Sequence, residues 1–390
     1  MSVAVAPRLS PAERERRTAL LHGILEEEHL DALVLAAADY RGHKGALRWV
    51  GDYNLVHRYG FALVLPGREP ELVLPENLAL GRRGGWDVPV RYVRRTGTGL
   101  ATAVSEAGRV RRIGVAGLAE VMKVGDYLAL RDAFPAAEIV DAGEAFERAR
   151  AVKSDEELEG AREATRIAEV CFVQLLDLAA PGRTERDLCA ELLRTAYSLG
   201  GEDFLFLSMW GEPRGDEFYA EFGPPGDRML RPGDQVIFSF ELIGPLGYWM
   251  ELARMIVLGP PAELQLRMNA AVRAGMEAAG AAMTPGASPA DVQRAIEAAV
   301  DAHGARCSYW SGHGIGQDVI EEPWLGLEVV QDRDEPARPW PLEPSMVLSA
   351  HPYVLDQQGR GMGYMADTYV TGASGGTAFS TIPLDLHVAG

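Results

Sequence analysis

Cysteine is nearly absent from this sequence, with three in 390 residues. Cys171, Cys189 and Cys307 lie far apart and form no CxxC pair. That argues against a disulfide framework and a thiolate metal site, and suits a reducing compartment, so the cytoplasm is the expectation. Long hydrophobic runs are missing too: no apolar stretch approaches the roughly 20 residues that a membrane span requires. The opening MSVAVAPRLSPAERERR lacks an apolar core leading to a small-residue cleavage site, and no secretory leader is expected. Positive charge is scarce. Against 56 Asp and Glu there are 38 Lys and Arg, a formal charge of −18. The basic patches, Arg14 to Arg17 and those at Arg94, Arg95, Arg109, Arg111 and Arg112, are short. Such a balance disfavours binding a nucleic-acid backbone. Within residues 1–150 no glycine-rich phosphate loop follows a strand, which leaves nucleotide binding there without support. Small molecules and a second copy of the chain remain as the expected partners.

What is present is an ordinary globular composition, 47% hydrophobic and 24% charged, on a chain long enough for two cores. The pattern predicts a helix over 8–30 opened by Ser10-Pro11-Ala12-Glu13. Buried strands are expected at 31–35, 59–65, 71–74, 112–116 and 137–141. Together these make an α/β domain over 1–150. A second domain, 151–390, opens on a long helix capped by Ser154 with Glu157, whose apolar positions Leu158, Ala161, Ala168, Phe172 and Leu175 share a face. That helix is expected to stop at Pro181-Gly182.

An internal repeat organises the second domain. Pro181-Gly182-x-Thr184-x-x-Asp187-Leu188 recurs 104 residues later as Pro285-Gly286-x-Ser288-x-x-Asp291-Val292. Thr184 and Ser288 are each placed to cap a helix whose first turn carries an aspartate, as the helix dipole favours. Each helix leads on to a strand, Gln235–Glu241 and Met346–His351. Two pseudo-symmetric α/β halves would set these equivalent strands side by side around a cavity, with a site drawn from both.

Four stretches carry a resemblance to a known family. They are Gly233-Asp234 to Ser239 with Gly247-Tyr248-x-x-Glu251-x-x-Arg254; Gly312-His313-Gly-Ile-Gly316 leading to Glu322-Pro323; Ser345 to His351-Pro352; and Asp367-Thr368-Tyr-Val-Thr371. In order and spacing they resemble the pita-bread enzymes: creatinase, prolidase and the methionine aminopeptidases. The resemblance spans residue 151 to the end, and residues 1–150 resemble the smaller N-terminal domain of the creatinase and prolidase branch. It implies an α/β fold of two domains, the second a pita-bread fold with a pseudo-two-fold repeat, and a cytoplasmic hydrolase acting as a homodimer.

The peptidase members hold two metal ions with two Asp, one His and two Glu. Here the resemblance puts Ser239 at the first Asp, Glu251 at the second, His313 at the His and His351 at the first Glu. The last Glu falls at Ala366 or Asp367. A further family histidine becomes Ile320, and the position of creatinase's base becomes Phe222. Loss of these carboxylates makes an ordinary two-metal mechanism unexpected.

The polar residues that remain can still do chemistry. Glu241 follows Ser239 by two and shares its strand face. His313 and His351 facing Glu241 and Glu251 can relay protons, the carboxylates being expected to lift the imidazole pKa. Glu322, Tyr248, Ser239 and Asp367 are candidates to bind substrate, although Asp367 can equally serve the backbone at a strand start. Arg254 is expected to pair with Glu251 or Glu322. Trp210, Tyr248, Trp249 and Trp310 are candidate pocket walls or simply core. By the resemblance, His57 and Arg58 of a partner copy would reach over the site and hold a substrate carboxylate.

The favoured expectation is a metal-independent, creatinase-like enzyme hydrolysing a C–N bond in a small carboxylate-bearing metabolite. His351 or His313 is the base and Glu241 or Glu251 its partner, with no cofactor. Elimination or decarboxylation would use the same groups. A second reading is a hydrolase with a single divalent transition metal on His313, His351 and Glu251. A third is a non-catalytic binding protein on the same scaffold.

Overall fold

The computed structural model describes residues 9–76, 80–83 (backbone only), 85–209, 223–326 and 338–390. Trp210 and Phe222 lie outside the described residues. The chain divides into two compact units, Met1–Ala151 and Val152–Gly390.

The first unit runs α1 (Pro11–Glu27), β1 (Ala32–Ala38), α2 (Gly45–Gly51), β2 (Tyr53–His57), β3 (Tyr59–Val64), β4 (Glu71–Pro75), β5 (Leu80–Arg83) and β6 (Val90–Val93). It continues through α3 (Thr96–Val104), β7 (Arg112–Ala116), α4 (Val124–Ala133), β8 (Glu138–Asp141) and α5 (Gly143–Ala151). Six strands form one mixed sheet in the order β6-β4-β3-β1-β7-β8. Runs such as Ala32-Leu-Val-Leu are buried on both faces, which is why they are continuously apolar rather than alternating. Ser10 caps α1, but the inner face of this helix departs from a simple apolar stripe. Glu13 and Arg17 are buried beside Leu21, Ile24 and Leu25. The Glu13 carboxylate accepts from the Arg17 guanidinium at 2.6 Å and from Arg16, and Arg17 lies between the Trp49 and Trp86 rings. Burial is the largest single influence and raises the Glu13 carboxyl, but the hydrogen bonds and charges of Arg16 and Arg17 together outweigh it and hold it below its usual range.

The second unit opens with α6 (Asp155–Leu178) and α7 (Glu185–Ser198), then β9 (Asp203–Ser208), β10 (Gln235–Ile243) and β11 (Trp249–Leu258). Its second half holds α8 (Glu263–Ala282), α9 (Pro289–Asp301), β12 (Ala305–Cys307), β13 (Gly312–Gly314), β14 (Glu321–Leu325) and β15 (Val347–Ala350). The chain ends with β16 (Tyr353–Asp356), β17 (Met362–Tyr364), β18 (Asp367–Gly372), β19 (Gly375–Ala378) and β20 (His387–Ala389). Ser154 and Glu157 form the capping box of α6. Thr184 with Asp187 and Ser288 with Asp291 form matching boxes on α7 and α9, so the sequence repeat is a repeat of structure. Leu188, Leu192, Phe172, Phe238 and Phe240 share one core beneath α6 and α7. At Gly160 a side chain would run into the Tyr248 ring, so α6 packs unusually close to β11.

Two sheets carry the chemistry, one ordered β20-β11-β10-β9 and the other β14-β13-β15-β18-β19. They join at a seam where Ala253 of β11 and Ala366, just before β18, exchange backbone hydrogen bonds at 3.0 and 3.2 Å. The strands that meet are therefore β11 and β18. The repeated strands β10 and β15, expected side by side, are each one strand further out, because the second strand of each half lies on the inside.

Candidate metal and catalytic site

Strand register decides which side chains converge. Across β10 and β11, Ser239 stands opposite Ala253 and Glu241 opposite Glu251. Directly opposed residues share a face, as do alternate residues in one strand, so all four point the same way. In the other sheet His313 stands opposite Ser349, and Ser349 opposite Thr368. The two faces meet at Glu251. Its backbone N–H donates to the Thr368 hydroxyl at 2.8 Å. Its carboxylate accepts from the Tyr364 hydroxyl at 2.9 Å and from the Ser349 hydroxyl, one donor on each oxygen.

His313 sits between two glycines for a steric reason. A side chain at Gly312 would overlap the Ser349 carbonyl, and one at Gly314 would overlap the Glu322 carbonyl. The His313 Nδ1 donates to the Gly314 carbonyl at 2.8 Å, which leaves Nε2 as the bare nitrogen. His351, one residue beyond β15, is anchored by its backbone N–H on the Ser311 carbonyl at 2.8 Å. Its Nδ1 has no hydrogen-bond partner among the described residues. The two imidazole rings are 5.1 Å apart. Aromatic rings surround them, with Trp324 5.8 Å from His313 and with Tyr309, Tyr364 and Trp310 6.4 to 6.5 Å from His351.

Burial dominates the electrostatics. It pushes His313 down to about 4, with the neighbouring His351 adding to the effect and Glu251 opposing it. His351 is pushed down to about 4 by the same desolvation. The carboxylates were expected to lift both imidazoles. The dry aromatic setting outweighs them, and both rings are neutral at pH 7.

Three further expectations change. Arg254 pairs with neither Glu251 nor Glu322. Its fully buried guanidinium donates to Asp367 at 2.7 Å and to the carbonyls of Ala253, Ala366, Ile382 and Pro383. Asp367 is thereby committed to structure. Strand alternation turns it away from the face shared by Ala366 and Thr368, so it is not placed to bind substrate. Tyr248 is 2% exposed and donates its hydroxyl to Glu157 of α6 at 2.9 Å, bracing helix against sheet rather than lining the site. Trp249 is core, packed with Leu158, Ile243 and Ile315.

Glu322 lies in β14 two residues before Trp324, which stands opposite His313, at a point where the ladder shifts register. Its neighbour Glu321 is buried in a 2.7 Å ion pair with Lys153. His57 and Arg58 are exposed in the first unit; the His57 ring is 3.5 Å from Asp39, whose carboxylate also accepts the Arg58 backbone N–H. Sequence reasoning missed Ser349, Tyr364 and Tyr309. The same two-residue alternation that linked Glu241 to Ser239 would have linked Ser349 to His351.

The ligand atoms of Glu251, His313 and His351 all lie within 4.8 Å of one another, a span that one ion can bridge. Two neutral imidazoles with bare nitrogens and a carboxylate held by hydroxyls form a donor set for a single transition ion. A dinuclear centre does not fit. Ser239 and Ala366 bring no charge, and Asp367 is held by Arg254.

Two repeated α/β halves whose sheets meet at such a site, preceded by a small α/β domain, define the creatinase/prolidase class of hydrolases. The chain belongs to metallopeptidase family M24, whose pattern matches residues 159–372, and residues 17–152 match the creatinase/prolidase N-terminal domain. It is 28% identical over 253 residues to the uncharacterized peptidase YqhT of Bacillus subtilis, covering 64% of this chain and 68% of that one. To the probable dipeptidase PepE of Mycobacterium tuberculosis it is 26% identical over 340 residues, 84% and 85% of the two chains. The crystal structure of dipeptidase PepE from Mycobacterium ulcerans superposes with a TM-score of 0.78 at 22% identity, over 98% of this chain and 100% of that one.

Proposed function

We propose that this M24 hydrolase cleaves a C–N bond in a small substrate at the cluster of Glu251, His313 and His351, which holds one divalent transition ion. The observation that carries the proposal is the meeting of three ligand atoms within 4.8 Å, with the His351 Nδ1 unpartnered. Such an ion, when bound, polarises the scissile carbonyl and acidifies a water molecule. The chain's own groups do the rest. Glu241, on the same sheet face as Glu251, takes the proton from the attacking water and returns it to the departing nitrogen. Tyr309, half-buried against His351, donates its hydroxyl to the oxygen on which charge develops. Trp310 and Trp324 keep bulk water out.

Among the described residues, the two buried Lys and Arg side chains of this unit, Arg254 and Lys153, are both committed to internal carboxylates. A substrate carboxylate therefore calls for a cation from elsewhere, which supports the reading that His57 and Arg58 of a second copy supply it in a homodimer. The names of the relatives, peptidase and dipeptidase, agree with C–N bond hydrolysis.

The test is to purify the protein without chelator, determine its metal, and screen dipeptides, N-acyl amino acids and amides by mass spectrometry. Cleavage lost on chelation and restored by one equivalent of metal supports the proposal. Full turnover in metal-free protein would replace it with a metal-independent reading, which the neutral His351 favours because its bare nitrogen can act as a base.

A further inference from the structure

Ser239, Ala253 and Ala366 occupy adjoining positions on the face that carries Glu251. Ser239 is opposite Ala253 in the β10–β11 ladder, and Ala253 is bonded to Ala366 across the seam. All three are fully buried. The Ser239 hydroxyl is buried and has no hydrogen-bond partner among the described residues, a polar atom that no described protein group meets. Positions two apart on the same face, or diagonal across a ladder, are about 7 Å apart, within the reach of carboxylate side chains. Two carboxylates on this ground would stand beside Glu251, where a hydroxyl and two methyls stand now.

Charge decides how many ions the site can take. The carboxylate at the cluster is Glu251, and the other two ligands are neutral imidazoles. One dication leaves a net charge of one, which a bound hydroxide cancels. A second dication in the same aromatic-walled space would find Glu241 as its one further charge, since Ser239, Ala253 and Ala366 bring none, and burying it so poorly compensated is prohibitive. The kind of ion follows from the donors. Two imidazole nitrogens and one oxygen suit zinc, cobalt or ferrous iron, whereas manganese and magnesium prefer a shell of oxygens.

We infer that this chain holds a single borderline transition ion and discriminates against manganese and magnesium, and that Ser239, Ala253 and Ala366 form a neutral patch that two carboxylates would turn into a second metal site. The inference rests on the one-ion reading of the cluster and is tested by metal alone, without substrate.

The metal-free protein is titrated with Zn2+, Co2+, Mn2+ and Mg2+, following heat and, for Co2+, the visible spectrum. The wild type is expected to take one equivalent of Zn2+ or Co2+, with Mn2+ and Mg2+ at least about tenfold weaker. The double variant Ser239→Asp/Ala366→Glu, folded in the presence of metal, is expected to take two equivalents. Two equivalents in the wild type would overturn the inference while leaving the cluster as a metal site. So would a folded double variant that still binds one. A wild type that binds none would remove the one-ion reading itself. If the double variant does not fold, the wild-type preference decides alone, and equal affinity for Mn2+ and Zn2+ counts against us.

Discussion

Replacing Tyr364 by Phe removes a single hydroxyl, and the structure sets the size of the effect. That hydroxyl donates to one oxygen of Glu251 at 2.9 Å, while Ser349 donates to the other. A hydrogen bond to an ionised group is worth about 1.5–3 kcal/mol. If Glu251 is a ligand, the bond matters because it fixes the carboxylate before the ion arrives. Without it, metal binding must freeze a freer glutamate, at a cost of up to about 2 kcal/mol in rotamer entropy. An unbonded oxygen is also a slightly better donor to a metal, which opposes the loss. Orientation should win, and the expected result is a metal affinity weakened about 10- to 100-fold, the usual scale for an outer-shell partner. The ring remains, so the aromatic wall and the fold are kept. Affinity would be measured by competition with a chromophoric chelator, and melting of the metal-free protein would show the fold intact. Ser349→Ala should act similarly on the other oxygen. An affinity within twofold of wild type for both variants would refute the reasoning, since neither hydroxyl would then be positioning a ligand.

Other substitutions probe the remaining claims. His351→Ala should fold, lose the equivalent of bound metal, and lose about 10²-fold or more in turnover; unchanged kinetics on an identified substrate would remove His351 from the mechanism. Arg254→Met leaves the buried Asp367 carboxylate without its counter-charge, and should cost at least about 3–5 kcal/mol in urea unfolding. Tyr248→Phe should lower stability by about 1 kcal/mol and leave turnover alone, since its hydroxyl serves Glu157; a changed KM would return it to the site. Arg58→Ala should raise KM for a carboxylate-bearing substrate without altering metal content. A monomer at micromolar concentration in sedimentation would remove the partner-supplied residues altogether.

Much of the fold could be read from local signals. The capping boxes at Ser154, Thr184 and Ser288 lie within four consecutive residues each, and the 104-residue offset between the last two revealed the two halves. The site was legible where alternation along a single strand sufficed, as for Ser239 with Glu241, or where a motif fixed one side chain, as for His313. It was not legible where partners come from distant strands. Glu251 is gripped by hydroxyls 98 and 113 residues away, and Arg254 reaches Asp367 at a similar remove. Nothing local marks those pairings, which exist because of the seam. The expected rise in the imidazole pKa failed for a related reason. Composition names the neighbouring charges, whereas the degree of drying depends on how Tyr309, Trp310 and Trp324 close over the rings.

Because Glu251 belongs to one sheet, His313 to the other and His351 to the residue just beyond its β15, an ion held by all three would act as a rivet through the seam. It would add to the ties already there: the Ala253–Ala366 backbone bonds, the hydroxyls of Thr368, Ser349 and Tyr364 on Glu251, and Arg254 on Asp367 and the Ala366 carbonyl. Any protein that binds metal only when folded gains stability from it, about 4 kcal/mol at a thousandfold excess over the dissociation constant. Here the gain would be spent on keeping two duplicated lobes closed. Starvation of metal would then be felt first as loosening between the lobes, with each hairpin still intact, and amide exchange at Ala253, Ala366 and Thr368 should quicken before exchange in the α6 core does.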